Sequence, residues 1–216
     1  MRILVAGGHG QIALRVERQL AAAGHTAVGI VRMPEHVVDL RAAGADVLVL
    51  NLESTTVDHV AANLVGADAV LFAAGAGPGS GVARKDTVDR AGSVLMADAA
   101  EKAGVARFVQ ISSIGAGAPP PPGTDESYAA YLQAKTAAED DLRRRDLAWT
   151  ILRPGRLTDD PGTGRVRLDP GVERGAISRD DVATVLVALL TSDVATHQTL
   201  GLVGGDTPID EALASL

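Results

Sequence analysis

Both tyrosines of the chain lie in the stretch SYAAYLQAK, residues 127–135, together with Lys135, one of three lysines in the chain. Tyr131 and Lys135 are four residues apart and share a face if the segment is helical, with Tyr128 one turn earlier on nearly the same face. A phenol is a poor base near neutral pH, since its ordinary pKa is about 10, but a neighbouring ammonium favours the phenolate. Lys135 can supply that ammonium and also donate hydrogen bonds to a nicotinamide ribose. Ser112 and Ser113 end an apolar run upstream, and a hydroxyl there can bind a substrate carbonyl opposite the Tyr131 phenol. The set suits proton transfer coupled to hydride transfer. Tyr128 is the alternate phenol. The competing structural reading is a helix whose tyrosines cover apolar surface while Lys135 snorkels.

These groups need elements to hold them. Six apolar runs read as buried parallel strands: 2–6, 26–31, 46–50, 68–73, 107–112 and 149–153, with a seventh at 199–203. Stretches of helical period separate them at 11–23, 34–43, 56–65, 84–103, 125–146 and 179–191. Ser178 is placed to cap the 179–191 helix, with Asp181 closing a capping box, and TPIDEAL opens a last helix in the same way. Repeated βα units predict an α/β fold: a doubly wound parallel sheet (Rossmann fold) of six or seven strands with helices on both faces. The pattern runs unbroken over residues 1–216 and predicts a single domain. In such a sheet ligands bind at the carboxyl ends of the strands, near the point where strand order reverses.

The turn after the first strand, Gly7, Gly8, His9, Gly10, Gln11, Ile12 and Ala13, satisfies both GxxGxxA (Gly7, Gly10) and GxGxxA (Gly8, Gly10). Such a turn lets a pyrophosphate approach the backbone at a helix N-terminus. The second strand ends on Arg32 where an NAD site usually has Asp or Glu; a guanidinium there pairs with a 2′-phosphate, which predicts NADP(H) in preference to NAD(H). The other reading of Arg32 is a solvated loop residue. Asn51 and Leu52, ending the third strand, are placed to contact adenine, and Ala73, Ala74 and Gly75 after the fourth to lie under the adenosine ribose.

With these motifs in place, the chain resembles the short-chain dehydrogenase/reductase superfamily, and most of all its small atypical members. Those are described as NAD(P)-binding or NAD-dependent epimerase/dehydratase-like proteins related to flavin/biliverdin reductases and NmrA-like regulators. The likeness is carried by ILVAGGHGQIA, GIVR, FAAGAG, AEKAGVARFVQISSIGA, YLQAK, LAWTILRPGRLTDDPGTG and ISRDDVA. It implies Ser113 as catalytic serine, Tyr131 as general acid/base and Lys135 as its partner, with Ser112 and the Arg153, Pro154, Gly155 turn along the cofactor. It also leaves open an NmrA-like sensor that binds cofactor without turnover, and an epimerase or dehydratase with tightly held NAD⁺.

Composition narrows the partners. A net charge of −7 and few aromatics argue against nucleic acid. With no cysteine and five scattered histidines, no metal site is expected. The longest membrane-like run, 182–190, is under half a spanning length, and the glycine turn occupies the place of a signal-peptide core, so a cytoplasmic protein without a membrane partner is expected. About 60 residues follow the Arg153–Gly155 turn. The substrate region is therefore expected to be minimal, built from residues 75–81, the proline loop around Pro119–Pro122 and residues 158–175, and to take a small carbonyl or quinone-like molecule. The proline loop itself is read as a lid, an inert surface loop or a partner-docking strip. A monomer or homodimer is expected.

Overall fold

The computed structural model describes residues 1–77 and 79–216. Pro78, inside the 75–81 loop assigned to the substrate region, lies outside the described residues. The elements run β1 (Arg2–Ala6), α1 (Gln11–Ala22), β2 (Thr26–Val31), α2 (Val37–Ala42), β3 (Asp46–Val49), α3 (Val57–Leu64), β4 (Ala69–Phe72), α4 (Val82–Arg84), α5 (Ala91–Ala103), β5 (Arg107–Ile111) and β6 (Ile114–Gly117). They continue with α6 (Glu126–Leu142), β7 (Ala148–Pro154), β8 (Arg156–Thr158), β9 (Arg165–Asp169), β10 (Ala176–Ser178), α7 (Arg179–Thr191), β11 (Gln198–Gly204), β12 (Thr207–Pro208) and α8 (Ile209–Ala214).

All seven apolar runs become strands, and they pair in parallel in the order β3-β2-β1-β4-β5-β7-β11. The chain steps outward from β1 to β3, then returns to the other side of β1 with β4, so the order reverses between β1 and β4. That crevice is where a doubly wound sheet binds its ligand. Residues of β1 alternate between the two faces: Ile3 and Val5 join Val16, Leu20, Val182 and Leu186 of α1 and α7. Leu4 and Ala6 join Val60, Leu64, Met96 and Ala100 of α3 and α5. Each fully buried Val, Leu, Ile or Met among them contributes about 1.5–3 kcal/mol, which fixes the register of β1 because a one-residue slip would exchange the two faces.

The structure differs from the expected elements in several places. Residues 165–169, read as part of a substrate loop, form β9, which pairs antiparallel with β11 and with β12 and extends the sheet to nine strands. β8 and β10 form a small parallel pair beside it. The expected helix 84–103 is present and unbroken from residue 82, but it changes period: a π-helical turn, Lys85–Arg90, joins α4 to α5. The 34–43 stretch begins as a 3₁₀ turn, Pro34–His36, and the 125–146 helix closes at Leu142. Ser178 caps α7, its Oγ accepting the Asp181 N–H at 3.0 Å. The Asp181 carboxylate does not close the box; it accepts from the N–H groups of Thr163 (2.9 Å) and Gly164 (2.8 Å) and pins that loop to α7. α8 follows Pro208, its N-cap residue, with no side-chain cap.

Among the described residues, no helix is long and apolar enough to cross a membrane, and no three His, Asp or Glu side chains gather as a metal site.

Candidate active site

The glycine turn is built for a close approach. Gly7 has φ +81°, and a Cβ there would lie 2.7 Å from Ala74 Cα, so no side chain fits between β1 and β4. The Gly10 N–H closes the turn on the Gly7 carbonyl at 2.8 Å. Gly10 then starts α1 without a side-chain cap, leaving the first-turn N–H groups and the positive end of the helix dipole for a ligand oxygen. The turn therefore fits a dinucleotide pyrophosphate. Of the two alternative glycine patterns, Gly7, Gly10 and Ala13 form the cradle. Gly8, expected to touch cofactor, is buried instead; a Cβ there would strike Glu17 Oε1 at 2.7 Å and Gly29 Cα at 2.8 Å, so this glycine serves helix–strand packing.

Two clefts flank the turn and share Gly10, Ala73, Ala74 and Gly75 as their floor. The first, about 320 Å³, is lined by His9, Arg32, Asn51 and Leu52, as expected of an adenosine site, and also by Glu53 and Arg84. His9 stacks on His36 with ring centroids 3.6 Å apart and lies 2.8 Å from Asp39 Oδ2. Asn51 Oδ1 accepts the Glu53 N–H at 3.1 Å, which turns the chain after β3. Arg32 stands half-exposed at the rim with its guanidinium 3.6 Å from Glu53. Glu53 accepts from Arg84 at 2.7 Å and from the Thr87 hydroxyl at 2.8 Å. The Arg84 hydrogen bond, then that of Thr87, holds its carboxyl below the usual range. Two guanidiniums thus surround one carboxylate, an excess of positive charge in this cleft.

The second cleft, about 510 Å³, is lined by Gln11, Ile12, Ser112, Ser113, Tyr131, Lys135, Pro154 and Gly155 from the expected set, and by Lys85 and Asp89 from the π-helical turn. Lys135, 4% exposed, donates to the Ile111 carbonyl at 3.2 Å, and its Nζ lies 3.3 Å from Asp89 Oδ1, a charge contact without an aligned hydrogen bond. The other Asp89 oxygen accepts the Ala76 N–H at 3.0 Å. Lys135 Nζ and Lys85 Nζ each sit 5.8 Å from the centroid of the Tyr131 ring, within cation–π range. Tyr128 stacks on Tyr131 at 5.9 Å but is 41% exposed and outside the cleft wall, so its place as alternate phenol is not supported by geometry.

Arg153 is a second correction. Its guanidinium is committed to Glu139, with Nε 2.9 Å from Oε1, and does not line either cleft. Burial would raise the Glu139 carboxyl, but Arg153, the neighbouring Ser112 hydroxyl and Arg143 together outweigh it and hold the carboxyl below its ordinary value. Ser112 Oγ itself is buried with no well-aligned hydrogen bond. Arg153 and Glu139 therefore brace α6, the helix that carries Tyr131 and Lys135, against β7.

Lys85, Asp89, Glu53 and Arg84 escaped the sequence reading. The signal available was KDTVD, a lysine and an aspartate four apart just after a glycine-rich loop, which reads equally as the first exposed turn of a helix. The π-helical turn aligns both side chains with the cleft, a device that frequently marks functional sites.

Residues 7–193 match the protein family described as NAD(P)H-binding. Over the full length of both chains the protein is 36% identical to the Bacillus subtilis protein YhfK, named an uncharacterized sugar epimerase. It is 33% identical to the UPF0659 protein YMR090W of Saccharomyces cerevisiae, covering 100% of this chain and 99% of that one. Among solved structures, a Bacillus halodurans protein provisionally named an NAD-dependent epimerase/dehydratase superposes with a TM-score of 0.92 at 36% identity, over 100% of each chain. ChuY of Escherichia coli O157:H7, named an anaerobilin reductase, gives 0.78 at 26% identity, over 95% of this chain and 98% of that one. The chain belongs to the NAD(P)H-binding family, with a fold like that of the atypical short-chain dehydrogenases/reductases.

Proposed function

We propose that the protein is an NADP(H)-dependent oxidoreductase acting on a small carbonyl or quinone-like substrate, with Tyr131 as its general acid/base. The observation that carries this reading is that Ser113, Tyr131 and Lys135, from two separate elements, line one cleft that opens onto the glycine turn. Bound NADPH supplies the hydride. Ser113 orients the carbonyl oxygen, Tyr131 donates the proton that oxygen takes up on reduction, and Lys135, held by Ile111 and Asp89, binds the nicotinamide ribose and favours the phenolate left behind. Pro154 and Gly155 add an uncharged part of the cleft lining. Arg32 and Arg84 at the adenosine end support the 2′-phosphorylated cofactor. The reductase name of ChuY agrees with this chemistry.

Tyr131→Phe should lower kcat/KM for NADPH oxidation across a panel of aldehydes, ketones and quinones by about 10²–10⁴-fold, with the NADP⁺ dissociation constant unchanged. Full activity in that variant removes Tyr131 from the mechanism. The epimerase names of the two Bacillus relatives favour a second reading, in which the same Tyr131 and Lys135 serve a tightly held NAD⁺. NAD⁺ released on denaturing the purified protein, with no NADPH oxidation, decides for that reading.

A further inference from the structure

The proposed chemistry leaves one charge in the catalytic cleft unused. Lys85 and Lys135 lie at equal distance from the Tyr131 ring, each Nζ 5.8 Å from its centroid, but their surroundings differ. Lys135 has a counter-ion, Asp89, at 3.3 Å. Lys85 is 7% exposed and donates to the Gly77 carbonyl at 2.6 Å, and among the described residues it forms no ion pair. An ammonium carries three donors, and burying one without a counter-charge is costly unless a ligand supplies it. The other cation in the cleft wall, Arg179, is already tied to Asp159 at 2.8 Å.

We infer that Lys85 binds an anionic group, carboxylate or phosphate, on the substrate, which narrows the substrate class to carbonyl compounds carrying a negative charge near the reacting carbon. The inference rests on the cleft around Tyr131 being the substrate site. Of the two sources of anion in such a cleft, substrate and cofactor pyrophosphate, the partners of Lys85 favour the first. It stands over Tyr131, at the reacting end, whereas the pyrophosphate has its own cradle in the backbone at Gly7–Gly10. A compact ammonium on a flexible stem suits one charged oxygen cluster rather than a planar fork. The anionic group takes no part in the reaction: hydride adds to the carbonyl carbon and a proton to its oxygen while the substituent keeps its charge. Lys85 therefore holds ground state and transition state alike, and its loss should appear in KM more than in kcat.

The test compares probes that differ only in charge. Wild-type protein loaded with NADP⁺ should bind benzoate at least about 10-fold more tightly than benzamide, the scale of one hydrogen bond to a charged group. Lys85→Met should erase that difference while keeping its NADP⁺ affinity, and Lys85→Arg, which retains the charge, should preserve it. With NADPH, 4-carboxybenzaldehyde should have a lower KM than benzaldehyde in the wild type and not in Lys85→Met. Equal binding of the two probes by the wild type, no binding of benzoate, or an undiminished preference in Lys85→Met overturns the inference. So does a loss of NADP⁺ affinity in Lys85→Met, which would assign the ammonium to the pyrophosphate. A charge preference that depends on Lys85, without oxidation of NADPH by either aldehyde, refutes the oxidoreductase reading and leaves the anion site standing.

Discussion

Glu17 carries a fully buried carboxyl whose two oxygens have no hydrogen-bond partner, in a slot that Gly8 and Gly29 leave open for want of Cβ atoms. Burial pushes its pKa from 4.5 up to about 8, so the folded protein holds the neutral acid at neutral pH. Between those two values the unfolded chain releases a proton that the folded chain retains. Stability therefore falls as pH rises through the interval and levels off above it, by a few kcal/mol in all. Glu17→Gln cannot ionise, and its stability relative to wild type should improve by that amount from pH 5 to pH 8, read by urea denaturation at the two pH values. A constant difference refutes the buried acid. Nothing in LRVERQL announces this residue, because a glutamate beside an arginine on an amphipathic helix reads as solvent-facing. That Tyr131 and Lys135 share a helix face was legible from their spacing of four, and Ser113 was placed with them by the family likeness; the structure brings all three to one cleft. Lys85 and Asp89 were not legible, because what selects them is a local change of helical period.

At the scale of elements, the proposed catalytic residues sit on the turn between β5 and β6 (Ser113) and on α6 (Tyr131, Lys135), and α6 is held by a charge network as well as by apolar packing. Arg153 on β7 and Arg143, the residue that follows the last turn of α6, both bond Glu139. Arg153→Met should cost about 3–5 kcal/mol, because it strips a fully buried carboxylate of its main partner. The depressed Glu139 pKa contributes stability above its ordinary value of 4.5, lost as pH falls through the lower folded value. The variant should therefore show a shallower loss of stability below pH 4.5 than wild type, measured by thermal melts across the acid range. A melt unchanged at pH 7 refutes the brace. The family likeness drew Arg153 toward the cofactor; the deciding fact, Glu139 one helix face away, is a tertiary contact. β9 was also open to reading, since RVRLD alternates exposed Arg165 and Arg167 with buried Val166 and Leu168, but its flanking prolines and glycines read as loop.

For the molecule as a whole, the doubly wound sheet followed from seven apolar runs in fixed alternation with helices, whereas the switch point between β1 and β4 came only from the strand pairing, which chain order does not fix. A ligand that binds the folded state alone stabilises it by about 2.7 kcal/mol at 100 times its Kd, which for a chain of this size raises Tm by roughly 5–10 °C. NADPH should produce that shift at lower concentration than NADH. Arg32→Ala should abolish the difference, with Glu53→Gln enlarging it by freeing both guanidiniums for the 2′-phosphate. Equal shifts for the two cofactors in the wild type refute the assignment of Arg32. The sheet's far margin has a bearing on behaviour in concentrated solution. Its last strand, β12, is two residues long and ends on Pro208, which has no amide hydrogen to offer. β12 itself offers a neighbouring chain almost no free ladder to copy, so the stretch of β9 that it covers, Arg165 and Val166, is guarded against the edge-to-edge stacking that seeds fibrils.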